Sequence, residues 1–376
     1  MKYHIQEDKK TSAYLQLYQQ LRTDIINGVY PHGTKLPSKR ILAKECGVSV
    51  ITTEHSYSIL CDEGYIEARE RSGYFVIYRE SDFLSVGESF PPAPAHVGTH
   101  HNVDTEFPFT VLAKTMRKIL LDYGDDILIK SPNQGCPELQ QALSSYLARS
   151  NGIEVKPEQI IIGSGAEYLY NLIVQLLGKH RVFALEDPCY DKIQKVYRAC
   201  GIQYDLLKLG HDGIRTSALE HTTASVLHVT PFHSFPSNVT ASASKKTEYI
   251  QWAQKRGGIL IEDNYDSELT ISRKAEDPIY SLAPEGTVIY LNTFSKTIAP
   301  SIRVGYMVLP ENLVTKFQQK LGFYSCTVPI FEQYVLAELI NNGDFERHIN
   351  RIRRTRRKAK EESAHSGHIE KSRSGH

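Results

Sequence analysis

The stretch LNTFSKTIAPSIR, residues 291–303, decides how this chain is read. It begins at the end of a short apolar run, 288–291, and leads into another, 305–308. Runs of that length and character read as buried strands. Lys296 is thereby placed at a strand end, facing a pocket. A desolvated lysine loses its proton more easily and can form a Schiff base with an aldehyde. Ser295 and Arg303 supply a hydroxyl and a cation suited to a phosphate. The segment therefore calls for one ligand that carries both an aldehyde and a phosphate.

Working outward, further apolar runs lie at 159–162, 182–185, 225–229 and 258–261. Helical patterns at 138–149, 167–177, 192–199 and 246–256 separate several of them. This alternation predicts an α/β domain over 105–342, with a mixed, mostly parallel sheet flanked by helices. Several positions in it fit pyridoxal phosphate. The run at 159–163 leads into Ser164, Gly165 and Ala166 and then a helix. Backbone N–H groups at a helix start hold phosphate, and Gly165 permits close approach. Asp263 can pair with a pyridinium nitrogen and keep it protonated. Tyr265 can donate to the ring oxygen, and Tyr190 can stack on the ring face. His233 and Asn238 can edge the ring. Taken singly, each has a plain structural alternative: a surface lysine, a capping aspartate, a core tyrosine, an ion-paired arginine. Order and spacing together favour the cofactor.

The N-terminal region, 1–78, has a different pattern. Tyr14, Leu17, Tyr18, Leu21 and Ile25 recur at helical spacing. Ser38 can cap a short helix that Gly47 ends, and Ser49 can cap another that runs to about Glu63. Two short runs, 65–69 and 74–78, read as a β-hairpin. Helix, short helix, turn, helix and hairpin is the order of a winged helix-turn-helix. The helix over 51–63 suits the major groove of double-stranded DNA. Ser49, Thr52 and Thr53 have hydroxyls for bases or phosphates. Lys39 and Arg40 suit phosphates, while Arg71 and Gly73 in the wing suit the flanking backbone or minor groove. Acidic and basic residues nearly balance here, so charge alone leaves a small protein-interaction module as an alternative.

Two strings, GTKLPSKRILAKECGVS (33–49) and ILCDEGYIEARERSGYFV (59–76), resemble the GntR-type winged helix over 13–76. One departure matters: the arginine that this family usually carries at the start of the third helix is Val50 here. Residues 107–342 resemble the fold-type I aminotransferases. More narrowly, ALEDPCY (184–190), TPFHSFPSNVT (230–240), LIEDNYDSE (260–268) and the segment from Leu291 resemble the MocR subfamily of GntR regulators. The resemblance implies a regulator that binds a DNA operator, uses pyridoxal phosphate and forms a homodimer. It implies sensing of a small amino compound by exchange at the Lys296 Schiff base. A working aminotransferase with an attached DNA-binding domain, or a DNA-binding relic without cofactor, are the alternatives. Asn238 stands where the family has glycine; asparagine tolerates left-handed backbone, so the turn is expected to persist. The small C-terminal domain, with the arginine that grips a substrate carboxylate, is expected to be missing. Residues 343–376 then hold the start of an interdomain helix, solvated and basic over 347–360, with an unstructured tail from 362.

The rest of the chain narrows the function classes. Among 376 residues, 44 are Lys or Arg and 43 are Asp or Glu, for a net charge of +1. No whole-chain electrostatic case for nucleic acid or membrane exists. The six cysteines are scattered, which gives neither a disulfide framework nor a zinc motif and fits a reducing compartment. No apolar run approaches the ~18 residues of a membrane span, and no signal core opens the chain. The expected location is the cytoplasm. The Pro-, Gly- and His-containing stretch 79–104 reads as a linker. Its His96, His100 and His101 have no acidic or cysteine partner spaced with them, so no metal site is expected.

Overall fold

A computed structural model describes residues 3, 5, 12–79, 107–270 and 277–373, the last fourteen of these by backbone only. The linker expectation beyond Arg79, with its three histidines, lies outside the described residues. The chain divides into two units, 1–99 and 100–376.

The first unit holds α1 (Ala13–Ile26), α2 (Lys39–Cys46), α3 (Val50–Asp62) and a hairpin of β1 (Ile66–Arg69) and β2 (Gly73–Val76). The caps form as the sequence predicts. The Ser38 side chain accepts from the Ile41 N–H, and Gly47 takes the left-handed conformation at φ 69°. Ser49 Oγ accepts from the Thr52 N–H at 3.0 Å. Leu17, Leu21 and Ile25 of α1 pack with Tyr57 and Leu60 of α3 and with Leu36, Leu42, Ile66 and Val76. Two buried hydroxyls lock the phase of α3: Ser56 donates to the Tyr14 carbonyl and Tyr57 to the Pro37 carbonyl, both at 2.8 Å. The face with Thr53, Ser56, Tyr57 and Leu60 is therefore inward.

The second unit opens with α4 (Phe109–Tyr123) and α5 (Pro137–Asn151). Then come β3 (Ile160–Gly163), α6 (Ala166–Leu177), β4 (Phe183–Asp187), α7 (Asp191–Ala199), β5 (Tyr204–Lys208) and α8 (Thr216–His221). They are followed by β6 (Val226–Val229), α9 (Ala243–Arg256), β7 (Ile259–Asp263), α10 (Ile279–Leu282), β8 (Val288–Thr293) and β9 (Gly305–Val308). The last helices are α11 (Glu311–Leu321), α12 (Ile330–Asn341) and α13 (Asp344–Arg373). Seven strands form one sheet in the order β3-β9-β8-β7-β6-β4-β5. Only β9 runs against its neighbours; the other pairings are parallel. This is the mixed, mostly parallel sheet that the sequence predicts. Period-two alternation sends Ile161, Met307 and Ile289 to one layer, with α6, α7 and α11. Ile160, Ile162 and Val308 go to the other, with α5 and α12.

Two sequence expectations need correction. The tail is not unstructured from residue 362, because α13 continues to Arg373. Nor is its start simply solvated. Phe345, Ile349 and Ile352 are buried in the core beside Tyr146 and Phe294, and His348 Nε2 donates to the Thr297 carbonyl at 2.8 Å. Spacing of four and then three residues gives an apolar stripe inside the arginine run.

Candidate functional site

Parallel strands deliver their C-terminal ends to one edge of the sheet, where open α/β folds form their binding crevices. Asp263 is the last residue of β7, in register with Leu291 of β8. The chain beyond β8 carries Ser295 and Lys296, the β3–α6 turn carries Gly165 and Ala166, and the loop after β4 carries Tyr190. A cavity of about 650 Å³ brings together Ala166, Tyr190, Asp263, Tyr265, Ser295, Lys296 and Arg303. These residues, far apart in sequence, share one cavity, while Gly165 lies beside it rather than in its lining. Lys296 Nζ lies 5.9 Å from the centre of the Tyr265 ring.

Asp263 is 2% exposed. Its Oδ2 accepts from the Tyr170 hydroxyl and lies 3.6 Å from His228 Nε2. Its Oδ1 is buried without a hydrogen-bond partner. A buried acceptor left open in this way is costly unless a donor fills it. Tyr170 is held protonated, its pKa raised well above the phenol range first by burial and then by the Asp263 charge. It is therefore a permanent donor to Oδ2. His228 Nδ1 bonds to the Tyr197 hydroxyl at 2.8 Å on the other side.

At the opposite end, Gly165 has φ +91°, and a Cβ there would lie 2.9 Å from Arg303 Nη2. The glycine leaves the start of α6 bare. Arg303 Nη2 pairs with Glu167 Oε2 at 2.8 Å, and Lys192 Nζ with Glu167 Oε1 at 3.2 Å. Burial opposes ionisation of Glu167, but its own backbone N–H, Lys192 and Arg303 outweigh that and keep its carboxyl below the usual range. One carboxylate thus faces two cations and leaves a net positive charge beside the N-terminus of α6. Ser295 Oγ donates to the Ile302 carbonyl at 3.0 Å and keeps its acceptor capacity.

Two expected ring contacts differ. The Tyr265 hydroxyl already donates to the His233 carbonyl at 2.9 Å. His233 does not line the cavity; it sits at φ 49° with Nδ1 3.5 Å from Asp266 Oδ2. Asn238 takes φ 56°, the left-handed backbone expected of it. Below the crevice, burial pushes the Glu186 carboxyl up to about 8, although the Ser234 hydroxyl and the Thr230 N–H favour its ionised form.

In the first unit, Arg40, Ser49, Arg71 and Gly73 are exposed, while Lys39 and Thr52 are half-buried. Lys39 Nζ pairs with Glu54 Oε1 at 2.5 Å. Thr53 is a correction: it is fully buried on the inward face of α3 and is not available to DNA.

Residues 13–76 match the gntR family of bacterial regulatory proteins, and residues 101–366 match the aminotransferase class I and II family. This chain belongs to the GntR family, in its aminotransferase-bearing branch. The HTH-type transcriptional regulator YdeL of Bacillus subtilis (strain 168) is 32% identical over 92% of this chain and 77% of its own length. The probable rhizopine catabolism regulatory protein MocR of Rhizobium meliloti is 27% identical over 93% of this chain and 76% of its own. Among solved structures, kynurenine aminotransferase of Pyrococcus horikoshii superposes with a TM-score of 0.60 at 27% identity, covering 66% of this chain. An archaeal alanine:glyoxylate aminotransferase also gives 0.60, at 24% identity and 64% coverage. This chain spans 64% and 62% of those two enzymes, less than two thirds of each. Among the described residues, no helix is long and apolar enough to cross a membrane.

The cofactor that goes with this GntR branch is pyridoxal phosphate, and the crevice fits it. The open Asp263 Oδ1 suits a ring N–H, Lys296 suits an aldehyde, and the bare turn at Gly165 with Arg303 suits a phosphate. Sequence reading missed Tyr170, His228 and Glu167. Tyr170 lies one helical turn beyond Ala166, but nothing in its neighbours marks it as the partner of an aspartate ninety-three residues away.

Proposed function

We propose that the chain is a pyridoxal-phosphate-dependent transcriptional regulator that binds operator DNA through its winged helix and senses an amino compound at Lys296. The observation that carries this reading is the open Oδ1 of Asp263 in the same cavity as Lys296. When bound, pyridoxal phosphate supplies an electrophilic carbonyl carbon and an electron-withdrawing ring. Lys296 Nζ is the group that would hold that carbon, and Asp263 would keep the ring nitrogen protonated. Arg303, Ser295 and the N–H groups of the first turn of α6 would anchor the phosphate. Tyr190, 37% exposed at the cavity mouth, would cover the ring.

An incoming amine competes with Lys296 Nζ for one position. The response of the protein is limited by how differently that amine binds the two conformations being shifted. Cytoplasmic location and a homodimer complete the proposal, since a dimer presents two winged helices to paired half-sites.

The test is the visible spectrum of the full chain with added pyridoxal phosphate, before and after borohydride, beside Lys296→Ala. A band lost on reduction, with label retained on Lys296, supports the reading. The same band in the variant, or none in either, sinks it. Operator affinity would then be measured across a panel of amino compounds.

A further inference from the structure

The first turn of α3 presents carbon where a DNA-reading helix commonly presents nitrogen. Ile51 is 67% exposed and Val50 42% exposed. Because Thr53, Ser56, Tyr57 and Leu60 define the inward face, Ile51 points away from the core, on the side shared by exposed Glu54, His55 and Ser58. The polar groups of this turn are partly engaged with one another. Ser49 Oγ caps the helix at Thr52 N–H, and the Ser49 and Thr52 hydroxyls bond each other at 2.8 Å. The second turn spends Glu54 on Lys39. The most exposed large hydrophobic side chain of this turn is Ile51, so the tip of the helix offers an aliphatic surface beside the Ser49–Thr52 hydroxyl pair.

In the major groove only thymine offers an apolar group, its C5-methyl. Guanine is read by paired donors, which neither Val50 nor Ile51 has. We infer that this winged helix reads thymine methyl groups, with Ile51 packed on them and the exposed part of Val50 beside it, so that its operator half-sites carry T·A pairs under the first turn of α3. The inference rests on the reading that residues 13–76 bind double-stranded DNA. Exposed Arg40 and Arg71 would set position on the phosphates and carry no base preference.

The experiment selects duplexes from a randomised pool with the full chain. It then measures binding to the enriched duplexes with single thymines replaced by deoxyuridine, which deletes only the methyl. The expected result is enrichment of thymine in each half-site and about a four-fold loss of affinity per contacted thymine, the effect of exposing one methyl-sized group. The double variant Val50→Ala, Ile51→Ala should lose the difference between thymine and deoxyuridine. Neither side chain belongs to the buried core, so its thermal midpoint should stay close to that of the parent. Val50→Arg, read by the same selection, should shift preference toward guanine. Enriched G·C pairs, or indifference to deoxyuridine, would overturn the inference. Equal, salt-sensitive binding to every duplex would overturn it while leaving DNA binding intact. No binding to any duplex at low salt would remove both.

Discussion

Arg303 and Gly165 are set against each other: the guanidinium fills the space that a side chain on Gly165 would need. The positive φ of Gly165 by itself disfavours any other residue, whereas Arg303 Nη2 ends a flexible side chain and can move aside. Gly165→Ala should therefore push Arg303 away from the start of α6 and strain the turn. The strain should cost about 2 kcal/mol of stability, and loss of the Arg303 contact should lower cofactor affinity by roughly ten-fold or more. Titration of the visible band with pyridoxal phosphate measures it. Unchanged affinity would mean that the phosphate is not held at this turn.

Tyr170 and Asp263 form the second coupled pair. Removing a donor from a buried carboxylate leaves a polar atom unsatisfied, which costs about 1–3 kcal/mol. Tyr170→Phe keeps the ring and deletes only the hydroxyl, so packing against Tyr197 and His228 should persist. The expected outcome is a loss of that size in urea denaturation without added cofactor. A variant as stable as the parent would show that Asp263 finds another partner in solution.

Glu186 gives a pH dependence with a definite sign. Burial raises its carboxyl from 4.5 to about 8 in the folded protein. The folded state therefore holds the proton more tightly than the unfolded chain does. Its contribution to stability is full below about pH 4.5 and is lost as pH rises through about 8, on the order of 5 kcal/mol in total. Glu186→Gln cannot ionise and keeps an acceptor for Ser234. Its stability should fall less than the parent's between pH 5 and pH 8. Parallel denaturation curves across that range would contradict the assignment.

The parts of this molecule that were legible in sequence are those set by local chemistry. Lys296, Asp263 and Gly165 were findable because each sits at a strand end or turn, and strand ends are marked by short apolar runs. The caps at Ser38 and Ser49 were legible for the same reason. Phase was harder. The hydroxyl of Thr53 groups it with Ser49 and Thr52, yet the helix turns it through to the face of Ser56 and Tyr57. β5 went unread because its exposed edge position leaves only Leu207 buried, so it lacks an apolar run. Tyr170 and His228 could not be joined to Asp263 before the sheet order was known. α13 was obscured by composition, because its arginines outnumber the three apolar residues that dock it.

That helix gives the sharpest contrast between the sequence reading and the structure. A solvated basic helix would tolerate change anywhere along 347–360. Instead Ile349 and Ile352 within it are buried, and just ahead of it Phe345 is buried edge-on against Tyr146 and Phe294, with ring centres 5.3 and 5.6 Å away. The three form one stripe, and His348 is bonded to the carbonyl of Thr297, the residue after Lys296. Phe345→Ala should cost about 3–5 kcal/mol, as emptying an aromatic-lined core site does. Arg357→Ala, on the exposed face, should stay within about 0.5 kcal/mol of the parent. Because the stripe also holds the segment beside Lys296, Phe345→Ala should weaken the borohydride-sensitive band at conditions where the chain is still folded. Equal stability of the two variants would mean that α13 does not dock on the domain in solution. A destabilised Phe345→Ala with an unaltered band would mean that it docks without supporting Lys296.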